Sequence, residues 1–320
     1  MTLHPGQLAV DEQTVRALLA EQLPQWADLE VRLLPQTGTV NAVARLGEGL
    51  AARFPLQPGP VADVRRTLAA EVDAARRLAG RVSVPVPEVV ALGEPGHGYP
   101  LPWSVQTWLP GADGTCVDPG GSNGFARDLA ALVGELRAVP TGGRTFVGER
   151  RTNRGGVVAD HDGWVRTCLS RSAGLLDVPA LATLWDRLRV LPRGPEPDLT
   201  THGDLIPGNV LVVTDQDGAG PEPRLAGLLD VGGTGPADPA LDLVGAWHLL
   251  DDGPRSAFRD ALRDEPTVGC DDEQWARGVA WAFEQAIGLV WYYRTAHPSF
   301  SALGHRTLER IVRAQDLPPP

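Results

Sequence analysis

Between Gly111 and Gly124 the chain carries a run of turn-forming residues with little apolar periodicity, and the patterns on its two sides differ. Upstream, short apolar stretches alternate with turns, as a small sheet with one main helix requires. Downstream, apolar residues recur at spacings of three and four over long segments, as a helical body requires. A length of 320 residues accommodates two such parts. The expected fold is α+β and bilobal: residues 1–109 form a small antiparallel-sheet part, and residues 110–320 a mostly helical one.

In the upstream part, residues 12–23 set Val15, Leu18, Leu19 and Leu23 on one helical face. Stretches 29–34, 40–46 and 49–54 read as strands, with a glycine turn at Gly47 to Gly49. Residues 62–80 give the clearest helix, marked by Val64, Leu68, Val72, Ala75 and Leu78. Strands at 88–92 and 103–109 complete this part. Downstream, helices are expected over 124–138, 161–176, 178–190, 239–251, 255–264 and 273–296. Two β-like runs, 209–213 and 224–229, are joined by a Gly- and Pro-rich loop and read as a hairpin. Trp275, Trp281, Phe283, Trp291, Tyr292 and Tyr293 read as helix core, and His248, His297 and His305 as structural or solvent-facing. The tail 317–320 reads as frayed.

Composition closes off several chemistries. All 29 basic residues are arginine. Without lysine there is no Schiff base, no pyridoxal phosphate anchor and no Walker A loop. The 40 acidic residues give a net charge of −11, which disfavours broad nucleic-acid binding and leans toward a cationic ligand. Cys116, Cys168 and Cys270 have no metal-type spacing and fit a reducing, cytoplasmic compartment. Met1 to Val10 has neither a basic cluster nor an apolar core of a signal peptide, and no apolar run approaches the roughly 18 residues of a membrane span.

The richest stretch is His202-Gly203-Asp204-Leu205-Ile206-Pro207-Gly208-Asn209, which leads into the first hairpin strand. The second strand runs out into Asp230, and Asp238-Pro239-Ala240-Leu241-Asp242 follows. In an antiparallel hairpin the start of one strand lies beside the end of the other. Asn209 and Asp230 are therefore expected to meet, with Asp204 close by, in an oxygen-rich site suited to Mg²⁺. Glu71 points toward the packed side of its helix, and none of its helical neighbours is basic. A carboxylate there wants a partner from elsewhere, and Arg53 at the end of the preceding strand is the natural one.

The spacing of Asp204, Asn209 and Asp230 resembles the catalytic loop and metal-binding Asp of protein kinases. With Gly203 before the first Asp and Asp238 to Asp242 after, the chain looks like the aminoglycoside phosphotransferase family of small-molecule kinases. The resemblance spans most of the chain. It implies a protein-kinase-like fold and transfer of the γ-phosphoryl group of ATP, with GTP as the alternative, to a hydroxyl of a small acceptor. It implies Asp204 as catalytic base, and Asn209 and Asp230 as Mg²⁺ ligands. It implies Arg53, paired with Glu71, on the phosphates, under a turn over Thr37 to Asn41 that includes Gly38. A hinge at 106–109, including Gln106 and Trp108, would read the base. His202, Asp238 and Asp242 would be supporting groups. Glu284 and Gln285 are candidates for the acceptor pocket.

Three features depart from the pattern. Arg53 stands where such folds usually carry lysine, the phosphate loop has one glycine, and Val231-Gly232 follows the metal-binding Asp. The acidic balance leans toward a polycationic acceptor such as an aminoglycoside, and so toward antibiotic resistance by phosphorylation. Macrolide, choline, homoserine and sugars are the other acceptors of the family. A non-catalytic nucleotide-binding pseudokinase and a metal-dependent phosphoesterase are the competing classes. No nucleic-acid or membrane partner is expected, and the protein is expected to be a monomer or homodimer.

Overall fold

The structure, a computed structural model, describes residues 6–35, 40–148, 154–214, 222–263 and 269–314. The chain forms two compact units. The first draws on residues up to Ala79, on Pro85–Gly111 and on Gly227–Gly232; the second on Gly80–Val84, on Ala112–Ala226 and on the chain from Gly233.

The first unit runs α1 (Glu12–Gln22), β1 (Val31–Leu33), β2 (Asn41–Leu46), β3 (Leu50–Pro55), α2 (Val61–Leu78), β4 (Val89–Gly93) and β5 (Trp103–Thr107). Its strands form one sheet in the order β1-β2-β3-β5-β4, antiparallel throughout. The Asp11 carboxylate starts α1 by accepting the Thr14 N–H at 2.8 Å. Glu12 then accepts the Leu33 N–H at 3.0 Å and ties the helix to β1. Val15, Leu18 and Leu19 of α1 are buried with Phe54, Tyr99 and Trp103 of the sheet side. Phe54 stacks on Trp103 with ring centroids 5.1 Å apart and meets the edge of Tyr99 at 5.2 Å. Gly47 turns β2 into β3 with φ +54°, the left-handed conformation that a side chain disfavours. The resulting register sets Arg53 of β3 between Val43 of β2 and Ser104 of β5.

The second unit runs β6 (Ala112–Asp113), α3 (Asn123–Ala138), α4 (Asp162–Arg171), α5 (Val178–Leu188), β7 (Leu199–Thr201), β8 (Val210–Thr214), β9 (Pro223–Leu228), β10 (Gly235–Ala237), α6 (Val244–Leu249), α7 (Asp252–Arg263), α8 (Asp272–Tyr292) and α9 (Pro298–Arg313). Two small sheets, β6-β8-β9 and β10-β7, sit among these helices. Helix α8 is the spine: Trp275, Val279, Trp281, Phe283, Ile287 and Val290 are all buried. Asp271 caps it by accepting the Gln274 N–H at 2.7 Å. Helix α9 packs along α8 through Gly304, where a Cβ would stand 2.7 Å from the Ala286 carbonyl oxygen.

The α+β expectation and the five-stranded antiparallel sheet hold. Some elements differ from the periodicity reading. The segment expected as one helix over 239–251 begins as a 3₁₀ turn, Pro239–Leu243, and becomes α-helical only in α6. Pro239 at the first position and the Asp238 carboxylate, on the Ala240 N–H at 3.0 Å, favour that tight start. Helix α4 stops at Arg171 rather than 176. The short strands β6, β7 and β10 and the whole of α9 were not foreseen. Among the described residues no helix is long and apolar enough to cross a membrane.

Candidate active site

In the first unit, Arg53 holds two carboxylates at once. Its Nη1 lies 3.3 Å from the Glu71 carboxylate, and its Nη2 lies 3.0 Å from Asp230 Oδ1. The Arg53 and Glu71 side chains are largely enclosed, at 15 % and 16 % exposure, whereas Asp230 keeps 43 %. The planar fork of a guanidinium suits two acceptors in different directions. Burial pulls the Arg53 pKa down, but Asp230 and Glu71 together outweigh it, so the group sits above its ordinary value. Burial lifts the Glu71 carboxyl above the usual range, Arg53 draws it back, and Asp230 pushes it up.

Asp230 follows β9 with φ +53°, a left-handed conformation that Asp tolerates better than most residues. Gly232 then passes close under Glu71: a Cβ there would lie 2.4 Å from the Glu71 Cγ. A small cavity of this unit is lined by Arg53, Glu71, Val89, Gln106, Asp230 and Gly232. Gln106 faces Val89 across β4 and Ala51 across β3. Beyond it, the Thr107 N–H donates to the Glu88 carbonyl at 2.9 Å and the Trp108 N–H to the Gly49 carbonyl at 2.8 Å. Arg45 lies over the Trp108 ring, 4.3 Å from its centroid. Asn41 heads β2 opposite Pro55. Gly38, with Thr37 and Thr39, lies outside the described residues.

In the second unit, the loop from His202 to Asn209 is pinned from several directions. Asp242 is fully buried, and its two oxygens accept the His202 N–H at 2.8 Å and the Gly203 N–H at 2.7 Å. Gly203 adopts φ +85°, so the loop turns sharply just before Asp204. The Asp204 N–H donates to His202 Nδ1 at 3.3 Å. Asn209 Nδ2 donates to the Asp204 carbonyl at 2.9 Å and to Asp204 Oδ2 at 3.1 Å. Asp238 is equally buried and accepts from Ala240 N–H, from Arg277 Nε at 3.2 Å and from Trp281 Nε1 at 3.1 Å. These carboxylates are spent on holding main chain and buried cations.

Glu284 and Gln285 both point inward. Glu284 pairs with Arg154 and with His161 Nδ1 at 3.0 Å. Burial pushes its pKa up, but Arg154 and His161 outweigh it and hold the carboxyl below its ordinary range. Gln285 Nε2 donates to the Gly203 carbonyl at 3.4 Å, and its Oε1 faces His248 Nε2 at 3.0 Å. Arg277, Trp281, Glu284 and Gln285 recur at helical spacing along α8. That polar stripe inside an apolar helix was the one signal in the sequence for the Arg277 and Glu284 networks.

The model of the phosphotransferase enzyme family (APH) matches residues 31–279, well over half of the chain. The chain belongs to that family. Solved structures agree on the fold. The GDP complex of wild-type aminoglycoside 2'-phosphotransferase-IIIa is 19 % identical, with a TM-score of 0.65 over 94 % of this chain and 98 % of that one. The GDP and kanamycin complex of APH(2")-IIIa is also 19 % identical, at a TM-score of 0.66 over 93 % and 98 %. The apoenzyme of macrolide 2'-phosphotransferase MphH from Brachybacterium faecium is 22 % identical, at 0.56 over 90 % and 97 %. No curated protein matches in sequence. As in those family members, the fold is protein-kinase-like.

The donor set of this family member suits Mg²⁺ better than a transition metal. Among the described residues no group of three or more His, Cys, Asp or Glu could hold a metal by itself. Mg²⁺ keeps water and is bound through one or two carboxylates together with substrate phosphates. Asn209 turns its amide nitrogen to Asp204, which leaves its oxygen as the donor atom for a cation.

Proposed function

We propose that the protein is a small-molecule kinase that transfers the γ-phosphoryl group of ATP to a hydroxyl of a small acceptor. The observation that carries this reading is the double clamp on the loop before Asp204. Asp242 fixes two successive N–H groups, and Asn209 holds the Asp204 side chain, so a carboxylate is offered from a loop that cannot sag. Membership of a phosphotransferase family supports it.

In this reading Asp204 accepts or orients the proton of the attacking hydroxyl. Arg53 contacts the phosphates, and Glu71 keeps its guanidinium in place. Asn209 and Asp230 would be the residues to hold Mg²⁺, which would neutralise charge on the phosphates. Residues 1–109 serve the nucleotide and residues 110–320 the acceptor and the chemistry. Because Thr107 and Trp108 already give their N–H groups to the sheet, the base is read by the next one, on Leu109; Pro110 has none to give. GTP is the alternative donor, as GDP is the nucleotide in two of the related complexes.

For the acceptor, the net charge of −11 favours a polycation, and kanamycin is the small molecule named in one related complex. An aminoglycoside-type antibiotic is therefore the first acceptor to try and a macrolide the second, with resistance by phosphorylation as the role. Three free cysteines fit work in a reducing cytoplasm.

The test is Mg²⁺-dependent nucleotide consumption by wild type and Asp204→Asn across aminoglycosides, macrolides, choline and sugars, with product mass read for one added phosphate. The expected result is a phosphorylated product that the variant makes at least about 10²-fold more slowly. Nucleotide binding with no product from any acceptor would replace the kinase by a non-catalytic nucleotide binder. No nucleotide binding at all would end the reading.

A further inference from the structure

Gly203 has its N–H on Asp242 and its carbonyl on Gln285, so both polar groups of the peptide units flanking this left-handed turn are fixed. The second anchor is longer than the first and depends on how Gln285 is itself held. Gln285 is buried on α8 and touches His248 of α6, whose Nδ1 lies 2.9 Å from Thr307 Oγ1 of α9. Gln285, His248 and Thr307 are all at most 3 % exposed.

The polarity of this chain is determined. A carbonyl only accepts, so the Gln285 amide must turn its NH₂ to Gly203. Its oxygen then faces His248 and also only accepts, so His248 Nε2 carries the proton. Burial pushes the His248 pKa down to about 4, with the Gln285 bond opposing, so the imidazole is neutral at pH 7. Nδ1 is then bare and takes the hydroxyl proton of Thr307. Each bond fixes the orientation of the next, and a flipped Gln285 amide would break two of them.

We propose that Gln285 is a positioning residue for Asp204, held in one amide orientation by His248 and Thr307 and fixing the carbonyl of Gly203. Three helices thereby set the direction in which the loop delivers the Asp204 carboxylate. The inference rests on the reading of Asp204 as the catalytic base.

The test has two arms. In the first, ¹⁵N NMR of the wild-type protein at pH 7 reads the His248 ring. A neutral ring protonated on Nε2 is expected; an Nδ1-protonated ring or an imidazolium overturns the proposal. In the second, Gln285→Met and Thr307→Val are compared with Thr307→Ser, which restores the hydroxyl. A misaligned base costs kcat rather than binding, so kcat should fall about 10- to 100-fold in the Met variant and less in the Val variant. Acceptor KM and nucleotide Kd should stay within about twofold, and Thr307→Ser should recover kcat. Wild-type kcat in Thr307→Val, or loss of nucleotide binding in step with kcat, sinks the idea even if the Met variant does not fold. A wild type that phosphorylates nothing defeats the kinase reading instead, and the ring measurement still decides the chain of bonds.

Discussion

Arg53 shows how a planar, forked cation differs from its nearest substitute. A lysine ammonium is a compact point charge, whereas the guanidinium reaches Glu71 and Asp230 through separate nitrogens. The pairing partner of Glu71 was legible in the sequence, because a carboxylate on a packed face with no basic neighbour in its own helix needs one from elsewhere. The second partner, Asp230, was expected only as a metal ligand. Nor did the sequence reveal that Gly232 passes beneath Glu71, since close approach between distant segments leaves no local pattern. Gly232→Ala should push the flexible Glu71 side chain off Arg53 rather than unfold the protein. Expected are a thermal midpoint within a few degrees of wild type and nucleotide binding weakened about tenfold, or about 1.4 kcal/mol, read by calorimetry. Unchanged affinity would mean that Glu71 does not hold Arg53 for the nucleotide.

At the scale of elements, legibility followed the strength of the apolar repeat. Helices α2 and α3 and the strands of the large sheet were read to within a few residues, because apolar residues, alanine included, recur along them at a regular spacing. Helix α9 was missed for a physical reason. Its buried face mixes Leu303, Leu308 and Ile311 with Ser301, Gly304 and Thr307, so small and polar residues dilute the period. Those same residues are what the packing needs. Gly304 lets α9 approach the α8 backbone, and Thr307 reaches His248. The strands β7 and β10 span three residues each, too few for any alternation to register. Gly304→Ala would set a methyl 2.7 Å from a main-chain oxygen that cannot step aside as a side chain can. Denaturant unfolding should show a loss of about 1–3 kcal/mol. A neutral substitution would show that α9 is free to slide along α8.

For the whole molecule, the site was legible as separate pieces. The resemblance to a kinase motif singled out Asp204, Asn209, Asp230 and Asp242, because their order and spacing along the chain match that pattern. The inward course of Glu284 and Gln285 was not, because which face of a fully buried helix meets which loop depends on packing. Charge acts at this scale as well. If the net charge of −11 draws a polycationic acceptor, kcat/KM for an aminoglycoside should fall several-fold between about 0.05 M and 0.5 M salt, while that for an uncharged sugar stays level. Parallel curves for both would remove charge as a reason to favour the aminoglycoside.

The two-carboxylate grip of Arg53 has a practical corollary. If Arg53 lies beneath the nucleotide phosphates as proposed, reagents that find kinases by acylating an amine there have no target: the group is a guanidinium held above its already high pKa, and no lysine stands anywhere in the chain. A survey of nucleotide-binding proteins built on lysine acylation would pass this protein by however tightly it bound a nucleotide.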